Sequence, residues 1–380
     1  MRIKKVSIDG ELDTFGGRAL IVQTDTESFK TPQRVLTSTE INYKAKLPSE
    51  PPINNELSEV VSQFSTDQWT SFMEQNGAFA SRLTTLKSFD DKMAYTWKRF
   101  FPQIPQAIQL DDKAGKMILE LQRMSEMDFI TLPNIQTTTA RFPKIVTDFA
   151  EDVVSEKREP LVYLDMALEP ADFEKRSNIL LGMAETGLIN TIGLIYKPIQ
   201  DYSRNYRTLW ERRELPVLFQ MSDIPRDTKF TPTMHLLQKW GIDTFSVRMS
   251  RFGGGAKKVD KEQMFPNMKR FDPVPLEFKR FEEWADGDHP LSCKCHICKD
   301  MTASEFVEAY AGEYEDYPGQ TFNAALRLHE FYKSSEEFAK GRKYIREGAL
   351  SDYFKEKSGL VRSDTPVPKK VRTIDITEVR

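Results

Sequence analysis

Leu161-Val162-Tyr163-Leu164-Asp165 is a continuous apolar run closed by an acid. A half-exposed strand would alternate apolar with polar side chains, so an unbroken run reads as a strand covered on both faces, as in a parallel sheet. Working outward, comparable runs stand at Asp128-Phe129-Ile130-Thr131-Leu132, Ile189-Asn190-Thr191-Ile192-Gly193-Leu194-Ile195-Tyr196, Pro216-Val217-Leu218-Phe219-Gln220 and Thr244-Phe245-Ser246-Val247-Arg248. The spacers between them carry helical patterns, expected at 116–124, 171–186, 200–214 and 232–240. Strand and helix in alternation predict an α/β fold, and 380 residues suit one (β/α)8 TIM-like barrel of about 250 residues with extensions.

Before this series, Ala19-Leu20-Ile21-Val22-Gln23 and Arg34-Val35-Leu36 predict short strands or a hairpin, with a turn at Lys30-Thr31-Pro32. Leu57, Val60, Val61 and Phe64 have helical spacing, so polar helices are expected from Glu56 to about Arg99. The expected organisation is 1–110 opening the barrel, 111–285 its core, 286–360 a C-terminal metal-binding subdomain and 361–380 a tail.

Each predicted strand ends in polar residues: Asn134 and Gln136, Asp165, Tyr196 and Lys197, Ser222 and Asp223, Arg248. In a barrel these ends meet at one mouth, where the chemistry is done. Asp165 and Asp223 are therefore candidate catalytic acids, although each also suits the N-cap of the following helix. Asp243 precedes its strand, and orienting a loop is its plainer role.

A net charge of −3 leaves no global nucleic-acid footprint, yet charge is uneven along the chain. Between Arg248 and Phe281, cations outnumber acids, with Lys257, Lys258, Lys269 and Arg270 among them and Phe252, Phe265, Phe271 and Phe278 interleaved. The segment predicts phosphate contacts and base stacking, or else a solvated loop over buried aromatics. Gly253-Gly254-Gly255 without a following Lys-Ser/Thr predicts a hinge rather than a phosphate cradle. No apolar run is long enough to span a membrane and no signal-type core follows Met1-Arg2-Ile3-Lys4-Lys5, so a cytoplasmic protein is expected.

All three cysteines fall within Cys293-Lys294-Cys295-His296-Ile297-Cys298. Three thiolates this close suit one tetrahedral Zn²⁺ that takes a fourth ligand from elsewhere. His329, on the expected helical face of Phe322, Ala325 and Tyr332, is the candidate; His296 competes, but would strain so short a loop. Four protein ligands make the metal structural, and the alternative is three reduced thiols beside a core histidine.

Pro290 to Cys298, then Thr302-Ala303-Ser304-Glu305-Phe306, then the Leu328-His329…Tyr332 helix resemble the zinc subdomain of the tRNA-guanine transglycosylase superfamily. Gly241-Ile242-Asp243-Thr244-Phe245-Ser246 is similar to that family's Gly-x-Asp-x-Phe-Asp segment, with Ser246 where the nucleophilic aspartate stands. The resemblance implies a barrel enzyme, a pentosyltransferase that exchanges guanine for a 7-deazaguanine base in nucleic acid. It puts Asn134 where the family reads the base with aspartate and Asp165 where it has glutamine. With Ser246 altered, the catalytic carboxylates are sought at Asp165, Asp223 and Asp243, and Asn134, Gln136 and Arg248 are expected to bind substrate. The divergent phage and bacterial branch that modifies DNA suits this altered pocket, and no large C-terminal RNA-binding domain follows the expected barrel. DNA is thus favoured over tRNA, in a host cytoplasm if phage-encoded. A catalytically silent subunit that binds nucleic acid, a second copy or a catalytic partner is the alternative.

Overall fold

The computed structural model describes residues 2–10, 12–13, 16–47, 57–74, 77–89, 97–104, 108, 110–228, 231–248, 267–285, 290–310 and 320–358. Lys257, Lys258, the Gly253-Gly254-Gly255 run and the 361–380 tail lie outside these.

Nine short strands form one sheet, in the order Gln33–Arg34, Thr244–Val247, Leu218–Ile224, Thr191–Ile195, Glu159–Asp165, Phe129–Leu132, Trp97–Gln103, Leu57–Gln63, Leu36–Thr37. Every neighbouring pair is parallel. The two end strands are separated in the chain by Val35 alone, whose amide donates to the Phe245 carbonyl at 2.8 Å. The sheet therefore returns to its own beginning as a nearly closed, barrel-like cylinder in a mixed α/β fold. All five predicted strands are present, and helices at Asp112–Met124, Phe142–Ser155, Pro170–Glu185 and Ser203–Glu211 return the chain between strands. Phe142, Val146, Phe149, Ala150 and Val153 form one buried helical stripe against the sheet.

One expectation is overturned. Leu57–Gln63 is a strand, not a helix, and the helices of this region are Thr66–Met73 and Ala78–Ser88. Leu57 and Val61 face the cylinder interior, whereas Val60 packs with the surrounding helices. The helical spacing of these apolar residues was thus a coincidence of two faces buried at once.

The interior is also unusual in its middle. Glu59 accepts from Arg99 Nε at 3.0 Å and from Ser222 at 2.9 Å, Gln220 donates to Tyr163 OH at 2.9 Å and bonds Arg99, and Ser246 donates to Glu59. All six side chains are buried. Below this layer, strands Ile3–Ile8, Leu20–Thr24 and Ser28–Thr31 form an antiparallel sheet. Its Val6, Val22 and Phe29 pack on Leu57, Trp97, Phe129, Leu161 and Leu218, at or near the first residues of the cylinder strands. The N-terminal end is thereby plugged, which leaves the C-terminal end as the mouth. No helix of the described residues is long and apolar enough to cross a membrane.

Candidate active cleft and metal centre

At the mouth, Asn134, Gln136 and Asp165 line one cleft of about 390 Å³, together with Ile135, Thr137, Thr138, Leu168 and Arg176. Asp165 ends its strand and is held on both oxygens: Asn134 Nδ2 donates to Oδ2 at 3.0 Å and the Ala167 amide to Oδ1 at 2.9 Å. Donors on both oxygens fix its orientation.

Asp223 lies on the same rim. Ile195 pairs with Asp165 on one side and with Ser222 on the other, so one strand separates the two acids. Asp223 sits at an irregularity in pairing with the last strand, at φ 61°, a left-handed conformation that costs a non-glycine residue energy. Arg248 grips it with Nε to Oδ1 at 2.8 Å and Nη2 to Oδ2 at 2.9 Å, so Arg248 is a carboxylate partner. Gln103 Nε2 donates to Oδ1 at 2.7 Å and in turn accepts from Gln63 at 2.7 Å. Gln63 and Gln103 were missed because their strands were not recognised as such. Arg176 was missed because it lies inside a helix.

The other two acid-base candidates are elsewhere. Asp243 is sealed at the far end of the cylinder, where Arg18 forks onto both oxygens and the Phe219 amide donates at 2.7 Å. Burial pushes its carboxyl up, against the pull of Arg18. It ties strands together and does not join the mouth. Ser246 is fully buried and its hydroxyl is committed to Glu59, so it is not presented to a substrate.

Two cations of the basic segment also change role. Arg270 is buried, stacks 4.5 Å from the centre of the Trp284 ring, and points Nη2 at Cys298 Sγ (3.5 Å) and the Leu291 carbonyl (3.4 Å). Lys269 pairs with Asp227 at 2.5 Å. These residues sit on the hairpin Lys269–Asp272 and Glu277–Arg280, where Lys279 is likewise paired, to Asp272 at 2.8 Å. Lys269 and Lys279 are therefore charge-compensated, and Arg270 is turned inward.

The hairpin buttresses a second centre. Cys293, Cys295, Cys298 and His329 are all buried, with their ligand atoms within 4.8 Å of one another. His329 Nδ1 lies 3.6, 3.5 and 3.2 Å from the three sulfurs in that order. Its Nε2 lies 2.8 Å from the Phe271 carbonyl, which fixes the tautomer and leaves the Nδ1 lone pair facing the sulfurs. Tetrahedral coordination with metal–sulfur and metal–nitrogen bonds of about 2.3 and 2.0–2.1 Å requires S···N edges of about 3.6 Å, so the donor set fits a four-coordinate ion. His296 is exposed and outside the cluster.

Beside the histidine on helix Gln320–Arg346, Glu330 faces Arg226 at 2.5 Å, Arg34 at 3.4 Å and Arg327 at 3.5 Å. Burial alone pushes its carboxyl up, but the three guanidiniums hold it down to about 2. Arg34 also bonds Glu40 at 2.9 Å. Because Arg34 belongs to the strand where the sheet begins, this network fastens the metal-site helix to the seam of the cylinder.

These features define a mixed α/β protein with a barrel-like parallel sheet, a rim cleft and a Cys3His cluster able to bind a metal ion. No protein-family model and no curated protein matches the chain.

Proposed function

We propose that the protein is a transglycosylase that exchanges guanine for a 7-deazaguanine in nucleic acid, on a TIM-type barrel stapled by a structural zinc. The reading counts Gln33–Arg34 and Leu36–Thr37 as one strand about Val35, which gives eight parallel strands. Zinc suits a cluster of three thiolates and one imidazole with tetrahedral edges, with no position left for a catalytic water.

The observation that carries the reading is the meeting of Asp165, Asn134 and Gln136, from the ends of two neighbouring strands, in one cleft at the mouth. Asp165 accepts a ring N–H of the base, with Asn134 and Gln136 beside it. Asp223, one strand away and so roughly 10 Å across the rim, is the carboxylate assigned to the anomeric carbon. Base exchange needs such a pair: Asp223 meets the developing positive charge on the sugar, while Asp165 relays a proton to the ring nitrogen of the departing guanine and takes one back from that of the incoming 7-deazaguanine. The Arg248 fork fixes both oxygens of Asp223 before substrate arrives. DNA is placed ahead of tRNA because the DNA-modifying branch accommodates Ser246 and Asn134.

The second reading, a silent subunit, draws on the burial of Ser246 and the sequestration of Asp243. Incubation with labelled 7-cyano-7-deazaguanine and either DNA or tRNA separates the two. Label entering DNA is expected, and label in neither polymer would favour the silent subunit.

A further inference from the structure

Burial without a carboxylate partner sets Arg270 apart. Among the described residues four arginines are 1% exposed, and three of them face a buried acid: Arg18 meets Asp243, Arg34 meets Glu40 and Arg99 meets Glu59. Arg270 has no such pair there, and the group in its reach that can carry negative charge is Cys298, whose Sγ accepts from Nη2 at 3.5 Å. The guanidinium is fixed from several sides. It lies 4.5 Å from the centre of the Trp284 ring, and Nη2 also reaches the Leu291 carbonyl at 3.4 Å. The backbone on either side is pinned as well, the Lys269 carbonyl accepting from Arg226 at 3.0 Å and the Phe271 carbonyl lying 2.8 Å from His329 Nε2.

The donor set at this place calls for a cation. A divalent ion held by three thiolates and a neutral imidazole keeps one net negative charge, and a charge buried without a counter-ion is costly. Arginine, always protonated and weakly hydrated, is suited to sit buried against it. We propose that Arg270 is the counter-charge of the Cys3His centre, balancing the metal–thiolate cluster through Cys298 and so setting how tightly the ion is held. The same hairpin thus supplies two outer contacts of the centre, Arg270 to Cys298 and the Phe271 carbonyl to His329. This rests on the zinc reading of the cluster and is independent of base exchange.

Two measurements on the full chain test it: Zn²⁺ affinity by competition with a coloured chelator, and the sulfur-to-metal charge-transfer band after Co²⁺ replaces Zn²⁺. Arg270→Gln, which loses the charge but keeps an N–H donor, should bind Zn²⁺ roughly 10–100-fold more weakly than wild type, the scale of a lost outer contact. Its band should move to lower energy, because a cation beside sulfur holds the sulfur electrons down. Arg270→Lys, which keeps the charge, should stay close to wild type in both readouts. An arginine needed only for packing gives another pattern, in which the two variants lose affinity alike and the band stays in place; that result would overturn the proposal. Wild-type affinity in Arg270→Gln would overturn it too. Excess Zn²⁺ should restore the melting temperature of Arg270→Gln, and a variant that stays unfolded there would decide for packing. Wild type that binds no Zn²⁺ would overturn the zinc reading along with this one.

Discussion

Single residues in this fold are governed by whether burial leaves them a partner. Glu159 is sealed beneath the cylinder, where it accepts from the Ile3 amide at 3.1 Å and from Asn190 at 3.2 Å. Burial outweighs these bonds and pushes its carboxyl up to about 7 from 4.5. The folded state therefore binds more protons than the unfolded state between those values, and stability falls as pH rises through that window. Glu159→Gln should remove a loss of a few kcal/mol between pH 5 and 8, measured by denaturant titration at both; equal slopes in both proteins would refute it. Burial pushes the Asp243 carboxyl up as well, but here the partner, Arg18, is a charge that is equally buried. Asp243→Asn leaves a buried guanidinium uncompensated and should cost about 3–5 kcal/mol of stability. A variant that melts with wild type would show the pair to be dispensable.

Among elements, helix Gln320–Arg346 is the one that joins two structures, with His329 turned to the sulfurs and Glu330 to the cylinder seam. Glu330→Gln strips the charge shared by three arginines and should also destabilise by about 3–5 kcal/mol. Hydrogen exchange should quicken at Val35 and Leu36 in this variant, whereas exchange changed only near the sulfurs would deny the link. The metal centre makes a separate demand, since a thiolate cluster releases its ion when a ligand is lost. Elemental analysis should find about one zinc per chain, and much less in Cys298→Ser; metal-free protein purified without chelator would contradict the assignment.

The elements that could be read in the sequence were those buried on both faces by apolar residues. Phe129–Leu132 through Thr244–Val247 kept such runs, whereas Leu57–Gln63 carries Ser58, Glu59 and Ser62 and did not. Glu59 belongs there because it meets Arg99 on the next strand and Ser222 and Ser246 across the cylinder, and no local pattern announces such partners. The same limit explains the cleft. Asp165, Asn134 and Gln136 were legible as strand ends, while the fate of Asp243 depended on Arg18, 225 residues away in the chain. Arg270 looked like a phosphate ligand until Trp284 and Cys298 closed over it. The metal cluster was the most legible feature, because three of its four ligands are crowded into six residues.

For the molecule as a whole, the plugged N-terminal end, the polar middle layer and the fastened seam leave the rim as the end of the cylinder that carries an open cleft. The central claim is that Asp165 performs base exchange there. Because its side chain is partly exposed and its partners are Asn134 and a local amide, Asp165→Asn should leave folding and metal content nearly unchanged. The decisive measurement is the rate at which labelled 7-deazaguanine enters nucleic acid with wild type and with Asp165→Asn, at equal zinc content and melting temperature. The account predicts that the variant loses at least about a hundredfold, the scale of a positioned acid-base group; exchange at near wild-type rate would contradict it.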